Sequence, residues 1–235
     1  MVIAMIKNAS IRPTLGVIGG MGTGATARFY EMLHSLQNVK KEQEYIDIIV
    51  YSKPSIPDRT AYILGQSTDS PLSPLIHAAK TLETAGVDSL AIPCVTSHYF
   101  YKDLQSAVRI PIINMLDETA AYISENGYQK IGLLATDGTI KGRFFHDTME
   151  KQGIDIFTPP EKTQEELMNI IYDIKRGQSI KAEALDGIVA QLQQKGAQTT
   201  LLGCTELSLI KKISSDHIDA LEILAHASLK KCTGP

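Results

Sequence analysis

Leu15-Gly-Val-Ile-Gly-Gly-Met-Gly-Thr23 is a short apolar run that breaks into glycines, and a similar run, Ile131-Gly-Leu-Leu-Ala-Thr-Asp-Gly-Thr139, stands 116 positions later. A second pair follows in the same order: Gly86-Val-Asp-Ser-Leu-Ala-Ile-Pro-Cys94 and Gly196-Ala-Gln-Thr-Thr-Leu-Leu-Gly-Cys204, 110 positions apart. Two matches at nearly the same offset imply two lobes built to one plan. Each lobe opens on a strand and a glycine turn. Each later carries a helix-ending glycine, a strand, and a cysteine directly after that strand.

Outward from these anchors, further apolar runs predict strands over 46–51, 111–114, 154–157 and 217–219. Runs this short and this continuously apolar suit parallel strands buried on both faces. Helical patterns fill the intervals: 26–36, 74–85, 101–107, 118–126, 144–152, 164–176, 181–195 and 221–230. Gly86, Gly127, Gly153, Gly177 and Gly196 follow several of them, where a left-handed cap ends a helix. The fold expected is α/β, with two pseudo-symmetric lobes, each a parallel sheet flanked by helices, and an active-site cleft between them. The boundaries expected are 12–115 plus 214–235 for the first lobe and 116–213 for the second. No low-complexity linker separates the halves, so the lobes should share a tight interface.

Composition sets the limits. With 43% hydrophobic and 21% charged residues among 235, the chain is an ordinary globular one, not a disordered or membrane-spanning one. A net charge of −3 leaves no electrostatic footprint for nucleic acid or for anionic lipid. The apolar start, residues 1–6, stops at Lys7, too short for a secretory segment or a membrane helix. Three cysteines without a CxxC motif fit a reducing compartment, so the expected location is cytoplasmic.

In parallel α/β sheets, ligands bind beyond the carboxyl ends of the strands. Cys94 and Cys204 both fall there, one per lobe, and a pseudo-two-fold axis would set their sulfurs on opposite sides of a cleft. Inverting a stereocentre needs a base on one face of the carbon and an acid on the other. Thiols serve both roles, with pKa values that strand-end and helix-start amides can lower. Buried cysteines after strands are also common core residues; the repeat is what favours chemistry for this pair, and the spacing gives no support to a redox disulfide. The glycine loop at 19–24 lets successive N–H groups turn toward an anion at a helix N-terminus. A dinucleotide site is the competing use, because Gly20-x-Gly22-x-x-Ala25 fits a relaxed fingerprint. That site wants an acidic residue at the end of the second strand, which instead reads Tyr51-Ser-Lys53. His98 and Cys94 are two ligands at most and no complementary cluster follows, so no metal site is expected and His98 is read as a hydrogen-bonding loop residue. Cys232 has no partner motif and is taken as incidental.

Gly19-Gly-Met-Gly22 followed by Ala25-Thr-Ala-Arg-Phe-Tyr30, then Pro57-Asp-Arg-Thr60, Pro93-Cys-Val-Thr-Ser-His98 and Leu202-Gly-Cys-Thr-Glu-Leu207 resemble the aspartate/glutamate racemase family, in its aspartate racemase branch. The match runs in order from about Leu15 to Leu224. The resemblance implies cofactor-independent racemisation of an acidic amino acid, aspartate or glutamate, by a homodimer, with Cys94 and Cys204 as the two acid/base thiols. It implies substrate contacts at Gly20, Met21, Gly22, Arg59, Val95, Thr96, Thr136, Lys175, Thr205 and Glu206, with a carboxylate held by the glycine loop and Thr136 and another by Arg59. Glu206 matches the aspartate branch, where glutamate racemases tend to place His. Val95 departs from the family, which has Asn there. Related isomerases (a broad-spectrum amino-acid racemase, a hydantoin racemase, a maleate isomerase) and a non-catalytic ligand-binding homologue are the alternatives.

Overall fold

The computed structural model describes residues 12–211, 213 and 216–234. The apolar run at 1–6 lies outside them. Strands and helices alternate: β1 (Leu15–Gly19), α1 (Thr23–Ser35), β2 (Ile48–Ser52), α2 (Arg59–Ile63), α3 (Leu72–Thr84), β3 (Ser89–Ala91), α4 (Tyr101–Ala107) and α5 (Met115–Glu125). The second series is β4 (Lys130–Leu134), α6 (Asp137–Lys141), α7 (Phe144–Glu150), β5 (Asp155–Phe157), α8 (Glu161–Lys175), α9 (Glu183–Gln194), β6 (Thr199–Leu202), β7 (His217–Asp219) and α10 (Ala220–Thr233). The five glycines expected to end helices all have positive φ, the conformation in which only glycine avoids a Cβ penalty.

Two sheets form, ordered β2-β1-β3 and β5-β4-β6-β7, and every pairing is parallel. Because all the strands run the same way within each sheet, each sheet gathers its strand-end loops at one edge. The predicted strand at 111–114 is reduced to a single parallel bridge, Leu90 to Ile112. Its counterpart in the second lobe is the short strand β7, paired Leu201 to Ile218.

That pairing corrects the expected lobe boundary. Residues 217–219 belong to the second sheet, where the exposed edge of β6 supplies their ladder and Ile218 is buried. The chain returns to the first lobe only with α10, which packs on α1 and α5. The two halves therefore end alike, in an edge strand or bridge followed by a helix, and those helices, α5 and α10, lie against each other.

One apolar cluster runs through both halves, joining Leu15, Val17 and Phe29 to Ile131, Leu133, Phe145, Leu221 and Leu224. Two smaller clusters lie one in each lobe, around Leu75, Leu90 and Leu104 and around Leu167, Leu192 and Leu202. The tight interface expected from the missing linker is thus a shared core. Among the described residues no helix is long and apolar enough to cross a membrane.

Candidate active site

The short helices α2 and α6 were not legible as helices in the sequence, because five residues are too few to display a helical period. Their start signals are present nonetheless. Asp58 accepts from the Ala61 N–H at 2.8 Å and Thr136 accepts from the Thr139 N–H at 3.2 Å, each capping its helix. The two helices pack on each other across the seam between the lobes. Arg59, expected in a loop, is the first residue of α2.

The first glycine loop joins β1 to α1. Gly20 has φ +94°, and a Cβ there would meet the backbone of Lys53 at 2.5 Å. Its N–H donates to Thr26 Oγ1 at 2.9 Å, and the Thr26 hydroxyl donates to Gly22 O at 2.8 Å. Helix α1 has no side-chain cap of its own and no acidic residue in its first turn. Its positive end is met from the other lobe: the Gly22 N–H donates to Glu206 Oε1 at 3.0 Å. A Cβ on Gly22 would sit 2.9 Å from that oxygen, so the approach depends on glycine.

Both cysteines are buried and each begins a tight turn after its strand. Ser97 N–H donates to Cys94 O at 3.2 Å, and Leu207 N–H donates to Cys204 O at 3.0 Å. The turns touch directly through the Thr205 hydroxyl, which donates to Pro93 O at 3.2 Å. The residue two past each cysteine then crosses the seam. Thr96 Oγ1 lies 3.1 Å from Thr136 Oγ1 and 3.2 Å from Thr139 Oγ1, which are 3.1 Å from each other, a ring of three hydroxyls at the head of α6. Glu206 makes the matching contact to the head of α1.

The chemistry of the two turns differs. The Cys204 thiol donates to Glu206 Oε2 at 3.1 Å. Burial first, then the Glu206 carboxylate, pushes the Cys204 thiol well above its ordinary range, while the Lys175 ammonium pulls the other way. The amides at strand ends, expected to lower the thiol, are outweighed here because burial and a neighbouring carboxylate both penalise the thiolate. Lys175, in the last turn of α8, lies 3.9 Å from Asp58 Oδ2 and stands over the Tyr172 ring at 5.0 Å. Burial works against its charge, but the acidic groups around it, Glu206 foremost and Asp58 among them, outweigh burial and hold the ammonium above its usual range. Lys175, Thr23 and Gly24 also line a cavity of about 250 Å³ walled by Ile174, Leu209 and Ile210.

Arg59 is buried, and its guanidinium donates to Met21 O and Pro57 O, both at 3.0 Å, and to Ile56 O at 3.3 Å. Its Nε is buried without a partner. Val95 is 2% exposed and belongs to the apolar cluster shared by the lobes, along with Phe144 and Met115. His98 bonds to Cys94 O within its loop and also accepts from the Met115 N–H at the start of α5. No group of three or more His, Cys, Asp or Glu among the described residues is arranged to hold a metal ion. Sequence reasoning missed Asp58 and Thr26, although both lie inside the motifs quoted above. The cap spacing of Asp58 ahead of Ala61 is the one signal that marks a role.

The family described as Asp/Glu/hydantoin racemase matches residues 18–227. A broad specificity amino-acid racemase of Bacillus subtilis is 24% identical over 213 residues, covering 88% of this chain and 89% of that protein. Among solved structures, the Picrophilus torridus aspartate racemase superposes with a TM-score of 0.84 at 26% identity, covering 94% of each chain. An aspartate racemase homologue from Pyrococcus horikoshii gives 0.74 at 28% identity, covering 94% of this chain and 99% of that one.

Proposed function

The chain belongs to the Asp/Glu/hydantoin racemase family, and on that premise we propose that it racemises an acidic amino acid, aspartate ahead of glutamate, with Cys94 and Cys204 as opposed acid/base thiols. One thiolate removes the proton from Cα, the electron pair delocalises into the adjacent carboxylate, and the other thiol returns a proton to the opposite face. The reverse reaction exchanges their roles. What supports the proposal is the pairing of the two strand-end turns: one per sheet, joined by the Thr205–Pro93 hydrogen bond, each sending the second residue past its cysteine across the seam.

The remaining side chains have assignable work in this scheme. The hydroxyls of Thr96 and Thr136 at the head of α6 receive one carboxylate, and build-up of enolate charge there is met by donors already in place. The Gly20 and Gly22 amides are already engaged by Thr26 and Glu206, so Gly20, Met21 and Gly22 serve as a wall of the site and the cation on that side is the Lys175 ammonium. Arg59 serves the acidic side chain through its unpartnered Nε, while Nη2 braces the Met21 carbonyl and Nη1 those of Ile56 and Pro57. Thr205 holds the two cysteine turns together. Glu206 takes the Cys204 proton when that thiol becomes the base, since Oε2 already accepts the S–H. Val95 offers only its backbone and an apolar wall, so substrate polarity at that end goes unrewarded.

The protein is further proposed to work as a cytoplasmic homodimer without pyridoxal phosphate or metal. Incubation with each enantiomer of aspartate and glutamate in deuterated water, with no cofactor added, is expected to exchange the α-proton and interconvert the enantiomers. Saturable binding without exchange would overturn the proposal. Sedimentation should give a species of twice the 25.7 kDa chain mass.

A further inference from the structure

The geometry points to His98 as a positioning residue that sets the aim of Cys94, by tying the carbonyl of that cysteine to the first amide of α5. The ring spans the two groups directly: Nδ1 is 3.0 Å from Cys94 O, and Nε2 is 3.2 Å from the Met115 backbone N. Met115 N–H can only donate, so Nε2 is the bare nitrogen and Nδ1 carries the hydrogen given to Cys94 O. The imidazole is therefore neutral and of one tautomer. Burial, the largest influence on it, disfavours the cation, with Asp117 of α5 acting weakly the other way. Its ring also lies parallel to Tyr101 at 6.3 Å.

The repeat supplies an independent comparison. Four residues past Cys204 stands Ser208, whose hydroxyl donates to Asp219 Oδ1 at 2.8 Å, and Asp219 caps the start of α10. Asn114 caps the start of α5 in the same way. In both lobes, then, the residue four past the cysteine links the cysteine turn to the head of the helix that follows. Only in the first lobe does the link also hold the cysteine itself. His98 is 5% exposed, and its ring packs on Tyr101 without an ionic partner. Its two hydrogen bonds serve the direction of the turn.

This inference rests on the racemase proposal for its catalytic consequence, though its geometry is testable without it. His98→Ala and His98→Gln are compared with the native protein by two measurements. The first is site-resolved alkylation of each thiol by iodoacetamide. His98→Ala is expected to raise the Cys94 rate about tenfold or more with Cys204 within about twofold, and His98→Gln, whose amide can both donate and accept, to return it toward native. The second is α-proton exchange of each aspartate enantiomer in deuterated water. A catalytic group displaced by about 1 Å loses up to about a hundredfold, so exchange of the enantiomer deprotonated by Cys94 should fall by about tenfold or more in His98→Ala, while the other enantiomer keeps its rate. Equal changes at both thiols, or none at Cys94, would overturn the inference. Failure of the native protein to exchange either enantiomer would instead sink the racemase proposal and leave the alkylation result to judge His98.

Discussion

The turn after Cys94 and the turn after Cys204 have the same backbone plan and opposite electrostatics. Past Cys94 come Thr96 and His98, neutral groups engaged with hydroxyls and backbone. Past Cys204 comes Glu206, with the Lys175 ammonium close enough to be felt by both. A duplicated scaffold thus presents two thiols that are alike in position and unlike in the charged groups beside them. Cys204 is held as a thiol by burial and by Glu206, so in the resting protein it is poised to give a proton rather than to take one. Under the proposed racemisation, the Glu206 carboxylate gives that proton somewhere to go when the direction reverses, and the Lys175 ammonium favours the thiolate left behind.

The largest effect that tests this comparison is removal of either sulfur. Cys94→Ala and Cys204→Ala should each lower interconversion by about 10²–10⁴-fold, the range spanned by general acid–base groups. Each should keep α-proton exchange for one enantiomer only, and for different enantiomers. Full racemisation in either single variant would end the two-thiol account.

Next comes the pH dependence. A thiol with raised pKa has little thiolate at neutral pH and gains it as pH climbs. Exchange of the enantiomer deprotonated by Cys204 should therefore keep rising with pH beyond the ordinary thiol range. Glu206→Gln removes the charge that raises the thiol, so the onset of Cys204 alkylation should move to lower pH while that of Cys94 stays put. An onset of Cys204 alkylation left unmoved by Glu206→Gln would remove Glu206 from this account.

Arg59 gives a smaller effect. Loss of a charged hydrogen bond costs about 1.5–3 kcal/mol, about one to two decades. Arg59→Ala should weaken kcat/KM for aspartate by that much and spare a neutral amino acid, with partial recovery in Arg59→Lys, which lacks the planar fork. Equal losses on both substrates would assign Arg59 to the loop, through Met21 O, in place of the acidic side chain.

The smallest effect expected is at Val95. Asparagine there would bury an amide in the cluster shared with Phe144 and Met115, so Val95→Asn should lower stability by about 1–3 kcal/mol, readable by urea denaturation. An unchanged midpoint would mean that the amide finds partners in the cleft, and aspartate turnover in that variant should then rise.

Much of this was legible in the chain itself, and the failures share a cause. The parallel strands were legible because buried parallel strands are continuous apolar runs, and Cys94 and Cys204 were picked out by the repeat. What escaped was short or long-range. The helices α2 and α6 are too brief for periodicity, and β7 was placed in the wrong lobe because three residues of strand carry no sign of the partner they choose. The thiol of Cys204 was expected to be lowered by amides. Local sequence showed those amides, but not that burial and a carboxylate two residues on would prevail. The contacts of Thr96 with Thr136 and Thr139, about 40 positions distant, and of Glu206 with Gly22, 184 positions distant, are products of the fold alone.

The shared apolar cluster carries one more consequence, for how the protein melts. Leu15 and Phe29 of one half and Leu133 and Leu221 of the other belong to a single buried body, and α5 and α10 cover each other. A half-chain released from its partner would face water with that surface. Heating should therefore give one calorimetric peak whose van't Hoff and measured enthalpies agree, although the chain is built from two copies of one plan. The duplication visible in the sequence survives as architecture but not as two folding units: neither half is a domain in the thermodynamic sense.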